Sequence, residues 1–176
     1  MQNNLVILEG PDHSGKSKLA FHLIEKYGFN YYHCGVKPDI MQYHLKVLDM
    51  AYKDINFYNS NFVIDRLHLS EFVYGNIFRN GPKYDYLQLE QDIKNRFSKY
   101  RLIICLPPKE IVIDGHKKRL AKNNEMFKTV DKVYDLYKQL VDNKLVDNKL
   151  VGYYLYDFTK DPNYEQLDKF LENKND

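Results

Sequence analysis

Leu5-Val6-Ile7-Leu8-Glu9-Gly10-Pro11-Asp12-His13-Ser14-Gly15-Lys16-Ser17 is the stretch that decides the fold of this 176-residue chain. Its first half is a continuous apolar run without polar alternation, the pattern of a short strand buried on both faces. Its second half is a full G-x-x-x-x-G-K-S, and Lys18-Leu19-Ala20-Phe21-His22-Leu23-Ile24 continues it as a helix. Strand, glycine-bracketed loop and helix in that order give the string a mechanism. The glycines let backbone N–H groups converge on phosphate oxygens, and the helix N-terminus adds its dipole. Lys16 would reach β- and γ-phosphates and the Ser17 hydroxyl would hold Mg²⁺. Gly10, Asp12, His13, Ser14, Gly15, Lys16, Ser17 and Lys18 are therefore the expected phosphate cradle.

Outward from this loop, short β-branched runs alternate with longer amphipathic stretches. Strands are expected at Leu5–Glu9, Asn30–Cys34, Phe62–Asp65, Leu102–Leu106 and Tyr153–Asp157. Helices are expected at Gly15–Tyr27, Ile40–Tyr52, Ser70–Phe78, Tyr86–Phe97, Ile111–Ala121, Phe127–Leu140 and Tyr164–Leu171. Buried strands separated by helices predict an α/β fold, a three-layer α/β/α domain with a parallel sheet of about five strands. No Pro/Gly/Ser linker divides the chain, so residues 1–176 read as one domain. Phe62-Val63-Ile64-Asp65-Arg66 is a second buried strand, ending in a carboxylate and a guanidinium. Beside a phosphate loop such an acid can bind Mg²⁺ or accept a proton, and Arg66 would face the cleft at the carboxyl edge of the sheet. The alternative is a surface Asp–Arg ion pair.

Composition narrows the partners. The formal charge is only +2, from 26 basic and 24 acidic residues. That balance argues against a continuous basic surface for nucleic acid. Five of the 26 basic residues are Arg (Arg66, Arg79, Arg96, Arg101, Arg119), leaving 26 − 5 = 21 Lys. Arg presents a rigid fork to phosphate where Lys is a point charge, so each Arg position matters. No apolar run nears the ~20 residues of a membrane helix. The run from Leu5 leaves no room for a signal peptide. Two cysteines, Cys34 and Cys105, make no disulfide framework, and a reducing, cytoplasmic compartment is expected.

Glu9-Gly10-Pro11-Asp12-His13-Ser14-Gly15-Lys16-Ser17 and Asp65-Arg66-Leu67-His68-Leu69-Ser70-Glu71-Phe72-Val73-Tyr74 together resemble the thymidylate kinase family of nucleoside monophosphate kinases. Pro107-Pro108, the basic segment His116 to Arg119, and a helix with Glu125 and Tyr134 extend the resemblance, which is greatest to small phage and viral members. The resemblance implies Mg²⁺-dependent transfer of the ATP γ-phosphate to a deoxynucleoside monophosphate, dTMP first. It also implies a short lid at about residues 114–125 and a possible homodimer. Carried over by position, Asp12 would face the sugar 3′-hydroxyl and the acceptor phosphate, Asp65 would sit near Mg²⁺, and Arg66 would clamp the acceptor phosphate. Ser70 and Glu71 would line the nucleoside pocket, and Tyr74 would lie under the sugar and exclude a 2′-hydroxyl. Lys117, Lys118 and Arg119 would belong to the lid. His13 stands where some members carry a loop Arg, which leaves Arg119 to supply transition-state charge. With Lys16, Asp12, Asp65 and Arg66, it completes the expected catalytic set.

Two departures keep other acceptors open. The family's base-reading Arg precedes the D-R strand, yet Ile40–Asn61 holds no Arg; Lys46, Lys53, Tyr43, His44 or Tyr58 would have to serve. Cys34-Gly35-Val36-Lys37-Pro38 lacks R-E-P-G-G-T, and Glu71 is an acid where a neutral residue is common. A deoxynucleoside or a modified-pyrimidine nucleotide is an alternative acceptor. From another class, the alternatives are a nucleotide-dependent switch or a polynucleotide 5′-end-binding protein. The near-neutral charge and the missing N-K-x-D motif weigh against both.

Among the remaining features, none of the His and Cys residues has zinc-ligand spacing. His68 reads as pocket-lining or capping, and Arg79 as either a substrate contact or a helix end. Arg96 and Arg101 read as surface residues, Tyr153–Tyr156 as core strand, and Glu172–Asp176 as a solvated tail. The repeat Val141–Leu145/Val146–Leu150 is too short for a solenoid unit.

Overall fold

The computed structural model describes residues 4–119, 127–142 and 153–173. In chain order the elements are β1 (Leu5–Glu9), α1 (Lys16–Tyr27), β2 (Phe29–His33), α2 (Ile40–Phe57), β3 (Asn61–Asp65) and α3 (His68–Phe78). There follow α4 (Tyr86–Arg96), β4 (Tyr100–Cys105), α5 (Lys109–Arg119), α6 (Phe127–Asp142), β5 (Tyr153–Tyr156) and α7 (Glu165–Glu172). All strand pairings are parallel, in the order β2-β3-β1-β4-β5. β1 and β3 are buried throughout, as their unbroken apolar runs require.

Successive residues of each strand feed opposite cores, because side chains alternate across a pleated sheet. Leu5 and Ile7 of β1, Phe62 and Ile64 of β3, and Leu102 and Ile104 of β4 pack with residues of α2, α3, α4 and α6 on one face. Val6, Leu8, Val63, Ile103 and Cys105 pack with Leu19, Ala20 and Leu23 of α1 and Leu167 and Leu171 of α7 on the other. The result is the expected three layers.

Most elements fall where the pattern places them, and the differences have identifiable causes. α2 runs on to Phe57 because Ile55 continues the buried stripe of Val47, Leu48 and Ala51. It ends where Asn59 turns to φ 59°. α3 starts at His68 instead of Ser70, since its cap comes from β1. The buried Glu9 carboxylate accepts from Leu67 N (2.9 Å), Leu69 N (3.1 Å) and the Ser70 hydroxyl (2.5 Å), with Tyr137 OH at 3.2 Å. An anion there satisfies orphan N–H groups and complements the helix dipole.

Three expectations need correction. Arg101 is no surface residue: it lies in β4, is only 9% exposed, donates to Asn173 O (3.2 Å) and stacks 5.5 Å from the Phe170 ring. That contact ties Asn173, expected in a solvated tail, back to the sheet; residues 174–176 lie outside the described residues. His68 faces neither cavity of the site, because its Nε2 sits 2.8 Å from Glu90 Oε2, joining α3 to α4 in the interior. β5 is an outer strand in which only Tyr156 is fully buried. From residue 143 onward the VDNKL repeat lies outside the described residues, as does Glu125.

Replacing Glu9 by Ala would orphan two buried N–H groups at once and leave the Ser70 and Tyr137 hydroxyls only each other (2.8 Å). We expect a loss of roughly 3–5 kcal/mol in unfolding free energy, the usual effect of removing one partner from a buried charged network. Urea denaturation reads it as a lowered midpoint at unchanged slope.

Candidate active site

The loop after β1 needs backbone shapes that few residues tolerate. Gly10 has φ 137°, and a Cβ there would stand 2.3 Å from Cys105 O, so β4 excludes any side chain. His13 at φ 63° and Gly15 at φ 92° bend the loop so that α1 begins without a side-chain cap. Its first N–H groups are left for an anion. Lys16 is buried and folds back, its Nζ donating to Gly10 O (2.8 Å) and Pro11 O (2.6 Å). Burial first, and then the Arg66 charge, push its pKa down to about 8. A phosphate group would favour the charged form of this ammonium.

The end of β3 meets the loop at Arg66. Its backbone is left-handed (φ 72°), its N–H donates to Leu8 O (2.9 Å), and its Nη2 lies 2.5 Å from Asp12 Oδ1. The guanidinium stacks 4.7 Å above the Tyr74 ring, which in turn stacks 5.9 Å from Phe78. Burial alone would lift the Asp12 carboxyl, but Arg66, then Lys16, hold it below its ordinary value. Arg66 and Asp65 are thus not a surface pair with each other. Asp65 Oδ2 takes Tyr31 OH (3.1 Å) and lies 3.1 Å from His33 Nδ1 on the neighbouring β2.

Two cavities open at the carboxyl edge of the sheet. One, of about 900 Å³, is lined by the loop residues Asp12, His13, Gly15, Lys16, Ser17 and Lys18, by Asp65, and across from them by Lys118 and Phe158. The other, of about 300 Å³, is lined by Ser70, Glu71, Tyr74, Arg79, His44 and the chain from Cys34 to Val36. Asp12, His33 and Arg66 line both. Mg²⁺ suits the larger one. Asp65 Oδ1 is buried with no hydrogen-bond partner among the described residues, and Ser17 lines the same space. One carboxylate and one hydroxyl, completed by phosphate and water, are the donor set this hard cation takes. Among the described residues no group of three or more His, Cys, Asp or Glu could hold a metal.

Most residues expected from the sequence are therefore gathered into one place. Ser70 lines the smaller cavity, yet its hydroxyl is engaged by Glu9 (2.5 Å) and Tyr137 (2.8 Å). Ser14 is buried within the loop and lines neither cavity. Of the residues weighed in place of a base-reading Arg, only His44 reaches the smaller cavity. Tyr58 is 76% exposed at the end of α2. In the lid segment, α5 lies hard against the loop: a Cβ on Gly115 would stand 2.9 Å from His13 Cβ, and the His13 and His116 rings meet edge-on at 5.5 Å. Lys118 lines the larger cavity, whereas Lys117 lies 3.7 Å from Asp114. The Arg119 side chain and residues 120–126 lie outside the described residues. Sequence reading left Arg79 undecided and missed Phe158 and the His33–Asp65 contact. Arg79 ends α3 through its N–H to Gly75 O (3.0 Å), and it also lines the smaller cavity.

Comparison with solved structures finds similar chains. The YorR protein of Bacillus subtilis, in complex with phosphorylated GDP, is 20% identical with a TM-score of 0.68, over 96% of this chain and 95% of its own. Deoxyadenosine kinase from M. mycoides with bound dATP is 15% identical with a TM-score of 0.59, over 96% of this chain and 99% of its own. The same kinase with bound dCTP gives 16% identity and 0.58, over 96% of this chain and 100% of its own. These likenesses establish a shared phosphate-loop α/β fold. No family model and no curated protein matches the chain. Among the described residues no helix is long and apolar enough to cross a membrane.

His44 supplies a pH prediction. It is buried, with Nδ1 2.5 Å from Tyr84 OH, and burial, then the nearby His68 and Arg79, lower its pKa from 6.5 to about 4. A lowered histidine pKa means the unfolded chain takes up the proton first. Its contribution is complete above about pH 6.5 and lost as pH falls toward 4, by roughly 3 kcal/mol at most. Urea midpoints between pH 7 and 4.5 should fall less steeply in His44→Gln than in wild type.

Proposed function

We propose that the protein transfers the γ-phosphate of ATP, with Mg²⁺, to a deoxynucleoside monophosphate, dTMP first. The observation that carries this reading is the shared border of the two cavities, where Arg66 stands between the phosphate loop and the acceptor pocket. Phosphoryl transfer asks mainly for positioning and positive charge. The loop N–H groups and Lys16 bind the β- and γ-phosphates. Arg66 holds the acceptor phosphate, and Asp12 holds Arg66 in line. An oxygen of the acceptor monophosphate attacks the γ-phosphorus, the bond from that phosphorus to the β-bridging oxygen breaks, and ADP leaves. The attacking group is already an anion, so no strong base is needed. Mg²⁺ held by Ser17 and Asp65 would neutralise charge on the triphosphate. From the lid, Lys118 faces the phosphates and Arg119 supplies transition-state charge. Phe158, across the larger cavity, offers an apolar face to the donor base.

The dTMP preference rests on the resemblance of the Asp65–Tyr74 segment to thymidylate kinases. A second reading, a deoxynucleoside acceptor, is favoured by the fold shared with deoxyadenosine kinase of M. mycoides. A coupled ADP-release assay with ATP, Mg²⁺ and a panel of nucleosides and monophosphates separates them. We expect ADP release that depends on a deoxynucleoside monophosphate. Release with nucleosides alone would favour the second reading, and release independent of any acceptor would exclude both.

Tyr74 gives a sharper check, because its ring both carries Arg66 and walls the acceptor cavity. Tyr74→Ala should weaken discrimination between deoxy- and ribonucleotide acceptors by about tenfold or more, measured as the ratio of their kcat/KM values. An unchanged ratio would remove Tyr74 from sugar recognition.

A further inference from the structure

Tyr74 is a partition between two spaces. Its ring lines the acceptor cavity, and with Pro11, Phe78, Val130 and Val133 it also lines a third cavity, mostly apolar and of about 80 Å³, between α3 and α6. Where it borders open space, the ring lacks the close-packed neighbours that fix a side chain in the core. Two flat groups stack on it instead: the Arg66 guanidinium, and the Phe78 ring, which lies only 11° from parallel. Tyr74 and Phe78 stand four residues apart on α3 and so share a face.

Phe78 lines neither the acceptor cavity nor the phosphate cavity, and it joins neither core cluster. Its side chain is 57% exposed, yet the backbone that carries it is pinned at the end of α3. Arg79 N and Gly81 N both donate to Gly75 O (3.0 Å each), and a Cβ on Gly75 would stand 2.6 Å from Pro82 Cα. Along the helix, Arg79 pairs with the buried Glu71, whose Oε1 accepts from Lys83 N (2.8 Å). A ring on such an anchor sets the tilt of the ring stacked on it. Without it, Tyr74 has the third cavity to swing into, and a displacement on the order of 1 Å is enough to upset a positioned site.

We infer that Phe78 is a positioning residue for the acceptor site. It acts through Tyr74, holding that ring close enough to the sugar to exclude a 2′-hydroxyl, and selectivity therefore depends on a side chain outside the acceptor cavity. The inference rests on the acceptor reading above and extends it by one residue. Because Phe78 is exposed and outside the core, truncating it disturbs Tyr74 far more than it disturbs the fold.

Calorimetric titration of the full chain without ATP tests it, using dTMP and ribothymidine 5′-monophosphate, which differ only at the 2′-hydroxyl. We expect the wild type to bind dTMP at least about tenfold tighter. In Phe78→Ala the ratio should fall to within about threefold, and Phe78→Tyr, which keeps a flat ring, should restore it. Thermal melting checks folding, and Phe78→Leu serves in the same way should Phe78→Ala not fold. On a Tyr74→Ala background, Phe78→Ala should change neither affinity by more than about twofold, since its effect passes through the missing ring. An unchanged ratio in folded Phe78→Ala or Phe78→Leu overturns the inference, as does a change on the Tyr74→Ala background as large as in the wild type. Equal binding of the two nucleotides by the wild type overturns it together with the sugar-reading role of Tyr74. A ratio that collapses in Phe78→Ala, without ADP release by the wild type, would refute phosphoryl transfer and leave the inference standing. ADP release with a ratio indifferent to Phe78 would do the reverse, and binding of neither nucleotide would overturn both.

Discussion

The buried Glu9 carboxylate is the constraint on which the rest of the site depends. It ends the central strand β1 and caps α3 through Leu67, 58 residues further along the chain. A charge taken out of water is tolerable only with several good partners, and Glu9 finds two N–H groups and a hydroxyl on one helix end. The consequence is geometric. The contact ties β1 to the start of α3, and with it the loop that leaves β1 to the wall of the smaller cavity carried by α3. Arg66 lies between them, its N–H tied to Leu8 O and its backbone left-handed.

Charge at this edge of the sheet is concentrated, not abundant. Lys16, Arg66, Asp12 and Asp65 lie within one small region of a chain whose formal charge is +2. Each perturbs the next: Arg66 lowers the Lys16 pKa, and both cations hold Asp12 ionised. Without a bound anion the cluster carries two partly desolvated cations close together. A polyphosphate would relieve that repulsion.

The fold was largely legible because its signals are local. The β1 run, the glycine spacing of the loop and the start of α1 are contiguous, and periodicity alone marks α6 and α7. The misses share a feature. The first turn of α3 was unreadable because its cap arrives from another strand. Arg101, polar in an apolar run, looked external because the Phe170 ring and Asn173 carbonyl that shelter it lie about 70 residues away. His68 finds Glu90 only once α4 has packed on α3. In the site, Lys16, Asp12 and Arg66 were readable from motif chemistry. The Arg79–Glu71 pair was not, because eight residues is no helical contact spacing; the turn at Asn80 creates the contact.

By itself, then, the sequence determined that a phosphate loop joins a buried strand to a helix, that the sheet is parallel, and that Asp65-Arg66 ends a second central strand. These follow from steric and hydrophobic rules acting within about twenty residues. Only the tertiary structure decided which side chains share a cavity and which are spent on one another. It turned the Ser70 hydroxyl to Glu9, and set Asp12 on Arg66, His33 on Asp65 and Arg79 on Glu71. The reason is that hydrogen bonds and ion pairs act over a few ångströms in space. Which residues come that close depends on strand order and helix packing, and spacing along the chain does not record it.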